Sequence, residues 1–266
     1  MSNRGAAAAE AVGIESMVPR TEQEPAPSLA DAPIFRRLDP RIRLDVERVS
    51  VPRTYERGQE LVGERGDEPG STAIGFVFVI WSGWCKAVRT HTDGDAAIVG
   101  IRGPGEIAAI EQLGFAGLGR RGAQAASVMP GTSGWIAASP VTAHPVEVVI
   151  LLGSIDRSGW AREEAIRLLT ERVTELEGVL ASTQLPSEER LRRTLEDLAR
   201  RFGHSGHRGR SVEVPLTQSE LASLIGSTRE TVNRSLRRMA AAGAIVLREG
   251  RPVLVRPVRR LRTTGP

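Results

Sequence analysis

The chain has 266 residues, 40% of them hydrophobic, a net charge of +4 and one cysteine, Cys85. That length suits two domains, and a lone cysteine excludes an intrachain disulfide and any cysteine-based metal cluster. No apolar run approaches the roughly 18 residues of a membrane helix, and the opening MSNRGAAAAE lacks the apolar stretch of a secretory signal, so a cytoplasmic protein with no membrane partner is expected.

Residues 1–30 are rich in Ala, Glu and Pro without periodicity and predict a disordered tail. A short helical region over 33–49 follows. From 50 to about 152 short apolar runs recur at 76–80, 96–101 and 146–151. Turns such as Ser82-Gly83, Asp93-Gly94-Asp95 and Gly103-Pro104-Gly105 separate them. Short strands punctuated by Gly turns predict an all-β barrel or jelly roll, assigned to 31–158.

Residues 159–183 change to helical period. Ile166, Leu169, Val173, Leu176 and Leu180 fall at alternating spacings of three and four, a heptad seam. Such a seam serves either core packing or a two-fold dimer, and a dimer helix over 159–185 is the favoured reading. Gly178 should interrupt this helix, at about 1 kcal/mol relative to Ala. Pro186 breaks the chain, because the residue before a proline avoids the helical region. A second helix with Leu191, Leu195 and Leu198 on one face ends at Gly203, and a Gly- and Arg-rich loop covers 204–210.

Charge is unevenly placed. Residues 186–266 hold 17 arginines, no lysine and 8 acidic residues, a net +9 inside a chain of +4, so the remainder is acidic. A basic block joined to an acidic one points to a domain that binds a polyanion. Within it, residues 216–236 carry two S/T-x-x-E boxes, Thr217 with Glu220 and Ser227 with Glu230, each able to open a helix. Gly226 lies between them, where a tight turn favours positive φ. Leu221, Ile225, Val232 and Leu236 are spaced to share one small core. Two short helices around a Gly turn are the ingredients of a helix-turn-helix, and 246–256 reads as a hairpin, the wing of a winged helix.

This segment resembles the DNA-binding domain of the cyclic-AMP receptor protein and FNR family, most closely at Thr228-Arg229-Glu230-Thr231-Val232-Asn233-Arg234. A looser resemblance covers roughly 33–260, including Tyr55-Glu56-Arg57-Gly58, Ile80-Trp81-Ser82-Gly83 and Gly103-Pro104-Gly105-Glu106. It implies an α+β protein: an N-terminal β-roll like a cyclic-nucleotide-binding domain, a long dimerisation helix, and a C-terminal winged helix-turn-helix over 186–266. The implied function is sequence-specific transcription regulation by a homodimer on double-stranded DNA, with RNA polymerase as a further partner. Arg229, Glu230 and Arg234 match the family's base readers. The chemistry agrees, since arginine pairs with guanine O6 and N7 and a carboxylate accepts from cytosine N4. Thr217 and Thr228 are the phosphate candidates. An architectural DNA-binding role, or a small-molecule module with residual DNA affinity, are the alternatives.

For the sensor pocket the resemblance implies Glu111, Arg121, Gly122 and Ala123 as ligand-binding residues and a cyclic nucleotide as the ligand class. Three departures count against that ligand. Ile110 stands where the family has Gly, Gly122 where it has Ser or Thr, and Glu175 and Leu176 fall where the helix would offer hydroxyls to the base. The expectation is a retained fold with a degenerate pocket and no assigned cofactor. His91 and His144 are too isolated to assign haem, and no nucleophile–base pair suggests an enzyme.

Overall fold

A computed structural model describes residues 28–61, 75–90, 96–117, 133–206, 209–211, 215–248 and 251–255. A short 3-10 helix, Leu29–Asp31, leads into α1 (Pro33–Arg36) and α2 (Pro40–Val49). Leu29, Ile34 and Phe35 are fully buried. Leu29 therefore belongs to the core and not to the expected tail, whose residues 1–27 lie outside the described residues. The helical region expected over 33–49 consists of two helices, because Asp39 caps a new one through Arg41 N at 2.8 Å and Pro40 takes its first position.

The roll consists of two antiparallel sheets. One holds β1 (Arg53–Tyr55), β2 (Phe76–Ser82), β5 (Ile107–Ala108) and β7 (Val141–Glu147) in the order β1-β7-β2-β5. The other holds β3 (Cys85–Thr90), β4 (Ala96–Arg102) and β6 (Ser133–Ala137) in the order β4-β3-β6. The unbroken apolar run of β2 follows from burial of both its faces. Phe78 and Ile80 cluster with Tyr55, Trp135 and Ala137, whereas Val77 and Val79 pack with Ile34, Phe35 and Leu151.

The strand expected over 146–151 is a correction. Val146 and Glu147 end β7, and the chain then forms α4 (Val148–Ile155). A short all-apolar run has no period to separate strand from helix; here Val148, Leu151 and Ile155 bury one helical face. Between the sheets' strands lies α3 (Gln112–Gly117).

Helix α5 (Gly159–Ser182) starts at Ser158, whose hydroxyl accepts from Ala161 N at 3.3 Å. It runs through Gly178 without the expected interruption, since one glycine's propensity cost is smaller than the hydrogen bonding on either side. Ala161 and Ala165 face the roll. The opposite seam is bare: Ile166, Val173 and Leu180 are 59%, 54% and 69% exposed, while Leu169 is partly covered by its own core.

Past the break at Pro186, α6 (Ser187–Phe202) buries Leu191, Leu195, Leu198 and Ala199. The loop expected over 204–210 is a small hairpin, β8 (His204–Gly206) and β9 (Gly209–Ser211). It joins β10 (Ile245–Arg248) and β11 (Arg251–Val255) in a sheet ordered β10-β11-β9-β8. Two helices, α7 (Gln218–Leu224) and α8 (Arg229–Ala241), complete this end of the chain. Among the described residues no helix is long and apolar enough to cross a membrane.

Candidate nucleic-acid interface

Helix α7 opens with the capping box read from the sequence. Glu220 N donates to Thr217 Oγ1 at 3.2 Å, and Thr217 N donates to Glu220 Oε2 at 2.7 Å. It closes at Ile225, and Gly226 takes a φ of +60°, the left-handed conformation that favours glycine. The second box does not form. Helix α8 is capped by Thr228, whose Oγ1 accepts from Thr231 N at 3.2 Å, so the helix begins one residue later than a Ser227 cap requires. Glu230 is thereby released from a capping role.

Leu221, Ile225, Val232 and Leu236 share one core with Leu191, Leu195 and Met239. Burying Val232, Ser235, Leu236 and Met239 turns the other face of α8 to solvent. Arg229, Glu230, Arg234, Arg237 and Arg238 are all exposed there. Arg238 reaches Glu188 at 3.3 Å, but among the described residues Arg229, Arg234 and Arg237 have no ion-pair partner. Thr217 and Thr228 are exposed at the starts of α7 and α8. The structure thus gathers the base-reading and phosphate candidates at the exposed edge of one helix pair.

Contacts between α6, α7 and the roll were not visible in the sequence. Lys86, the chain's only lysine, donates to Glu220 Oε1 at 2.5 Å. Burial opposes the Glu220 charge, yet Lys86 and the Thr217 donors hold its carboxyl below the usual range. Ile98 N donates to Ser223 Oγ at 3.0 Å, and Arg201 forks onto Glu106 at 2.7 and 2.9 Å. The Phe202 ring meets Trp84 edge-on at 4.6 Å.

In the sensor region, Arg121, Gly122, Ala123 and His91 lie outside the described residues. Ala109 adopts a φ of +60°, and Ile110 is buried in the apolar core beside it. Glu111 Oε2 and Gln112 Oε1 are buried without a hydrogen-bond partner among the described residues. On α5, Glu175 is engaged by Arg102 at 2.8 and 3.1 Å and by Arg172 at 2.8 Å. Burial works against its charge, but the two guanidiniums bring its carboxyl down to about 2. Arg102, Arg172 and Glu175 line a cleft of about 1140 Å³ between β4, α5 and α6. His144 is a core residue, its Nδ1 2.9 Å from the Ser50 carbonyl. Burial pushes the Cys85 thiol up to about 12, leaving it protonated and unreactive.

A family model for a Crp-like helix-turn-helix domain matches residues 189–264. The chain is 30% identical over 236 residues to the CRP-like cAMP-activated global transcriptional regulator of Mycobacterium tuberculosis, covering 88% of this chain and 96% of that one. It is 26% identical to the fumarate and nitrate reduction regulatory protein of Escherichia coli, over 73% of this chain and 70% of that protein. Among solved structures, FixK2 from Bradyrhizobium japonicum superposes with a TM-score of 0.62 at 18% identity, covering 78% of this chain and 93% of FixK2.

Proposed function

The chain belongs to the CRP/FNR family of transcription regulators, and we propose that it acts in the cytoplasm as a homodimer that reads a palindromic DNA site through Arg229, Glu230 and Arg234. The observation that carries this reading is the outward face of α8, where these three side chains stand exposed beside Arg237. Unpaired guanidiniums keep all their donors for guanine edges, and Glu230, free of capping, can accept from cytosine. Thr217 and Thr228 hold the helix pair to phosphates.

The division of labour follows the elements. The roll over 31–158 is the sensor, 159–185 the dimer helix, and 186–266 the DNA-binding unit, with RNA polymerase as the further partner of the bound dimer. The exposed seam at Ile166, Val173, Leu176 and Leu180 is the surface a second copy covers. Two recognition helices then enter successive major grooves about one helical turn apart.

Cyclic AMP is not its strong obligatory effector. The Mycobacterium tuberculosis relative is named as cAMP-activated, but three features of this chain count against that ligand here. Ile110, at the family's Gly, is buried in the apolar core, and the positive φ that favours a glycine falls one residue earlier, on Ala109. Glu111, the family's ribose-binding carboxylate, buries Oε2 with no hydrogen-bond partner among the described residues. Glu175, at the position facing the base, is already bound by Arg102 and Arg172.

Selection of bound sequences from random DNA tests the main reading. The expected motif is a palindrome with half-sites resembling TGTGA. A motif with no G·C pair common to both half-sites overturns the residue assignment, and uniform coating of DNA replaces it with an architectural role. Titration calorimetry with cyclic AMP tests the sensor reading. Binding at about micromolar or tighter, with a tenfold gain in DNA affinity on the order of 1.4 kcal/mol, would overturn it.

A further inference from the structure

Arg190 lies near the start of α6, outside the recognition helix and outside the sensor cleft's ion pairs. Its guanidinium has five N–H donors, and five partners meet them. Nε donates to the Ile225 carbonyl at 2.8 Å, and Nη2 donates to the Gly226 carbonyl at 2.9 Å and to Ser187 Oγ at 3.2 Å. Nη1 donates to the carbonyls of Leu185 at 2.7 Å and Thr183 at 3.3 Å. None of these partners is a carboxylate.

The partners come from two places far apart in sequence. Thr183 is the C-cap of α5 and Leu185 lies in the break that follows. Ile225 is the C-cap of α7, and Gly226 is the turn between α7 and α8. One cation therefore sits where two helices end. Each end presents unsatisfied carbonyls and the negative pole of a helix dipole, and both favour a positive charge. The planar fork lets one side chain address both sets at once. A lysine ammonium has three donors on a flexible stem and cannot hold both sets in one geometry.

We propose that Arg190 is a positioning residue that fixes the separation of the two recognition helices in the dimer, by tying the end of α5 to the turn of the helix-turn-helix. The inference rests on the dimer reading above. Helix α5 carries the dimer seam and α8 starts three residues after Gly226, so the bridge sets the direction in which each α8 leaves the two-fold axis. Without it, the break around Pro186 loses the side chain that ties it to the helix-turn-helix, and half-site spacing loses its definition. The contacts of Arg229, Glu230 and Arg234 within one half-site do not depend on it.

The test is selection from random DNA with the full chain and with Arg190→Met and Arg190→Lys, scoring the distribution of distances between half-sites. Thermal unfolding is followed in parallel. Wild type should select one spacing. Both variants should select the same half-site over a range of spacings, broadened by about one or two base pairs on either side. Affinity for the wild-type spacing should fall by about tenfold or more, while affinity for a single half-site stays within about twofold. A role confined to stability would lower the unfolding temperature and leave the spacing sharp. If Arg190→Met does not fold, Arg190→Lys decides, since it keeps the charge and the stem. A single sharp spacing in the folded variants overturns the inference and leaves the dimer reading intact. Absence of paired half-sites with wild type overturns the dimer reading itself.

Discussion

The arginines of α8 and those around the middle of α5 share a side chain and little else. On α8, Arg229, Arg234 and Arg237 are exposed, with no ion-pair partner among the described residues. Around α5, Arg102 and Arg172 are buried and Arg201 is half-buried, and Glu175, Glu106 and Asp197 bind them. Removing a charge from water costs several kcal/mol, so interior arginines must find carboxylates at hand. A surface arginine bears no such cost and can wait for a phosphate or a guanine. The +9 of the C-terminal block is therefore not a uniform basic coat. Much of α6 neutralises itself, Glu189 binding Arg192 and Arg193 while Asp197 binds Arg200 and Arg201. On α8, by contrast, Arg229, Arg234 and Arg237 lie on the helix face that the fold keeps clear.

The largest effect expected from breaking this arrangement comes from the seam both regions depend on. Val173→Glu with Leu180→Glu places four charges in a two-fold interface without touching the roll's core. Sedimentation should show a monomer, and affinity for the palindrome should fall by about 100-fold or more with the loss of bivalency. A variant that remains a dimer would show that α5 does not form the contact.

Arg102→Ala comes next. It leaves Glu175 without its main partner and should cost about 3 kcal/mol in urea unfolding. The pH dependence sharpens the point. Glu175 is held at about 2 in the fold, below its unfolded value. Its contribution is therefore complete above the unfolded carboxylate range, and is lost as pH falls from about 5 toward 2. The stability gap between wild type and Glu175→Gln should be widest at neutral pH and close in acid. Glu189 is also held at about 2, by Arg192 and Arg193. It lies on the helix surface, where solvent screens such pairs, so Glu189→Gln should show little of this behaviour.

On the exposed side, Arg229→Ala should leave unfolding unchanged and cost about 1–3 kcal/mol of binding at one guanine, with preference relaxed there alone. Uniform weakening across sequences would instead make Arg229 a phosphate contact. The smallest effect is Gly178→Ala. A Cβ at this position meets nothing within 4 Å, so α5 should gain about 0.5–1 kcal/mol, read as a higher unfolding temperature with DNA affinity unchanged.

What could be read from the residues alone was whatever depends on short spacings. The roll, the seam of α5, the Thr217–Glu220 box, the Gly226 turn and the polar face of α8 are all patterns within a few residues of one another. They report local conformation or the face of one element. The strand placed over 146–151 and the cap placed at Ser227 failed at the limit of that information. An all-apolar run has no period, and neighbouring Ser227 and Thr228 are equally able to cap a helix. Only the tertiary structure decided which charges pair. Lys86 meets Glu220, Arg102 meets Glu175, and Arg201 meets Glu106 across large separations in sequence. Arg190 finds one helix end five residues before it and another 35 residues after it. Charge has no periodicity that names its partner, because the energy of a pair depends on distance and burial, and both exist only after the chain has folded.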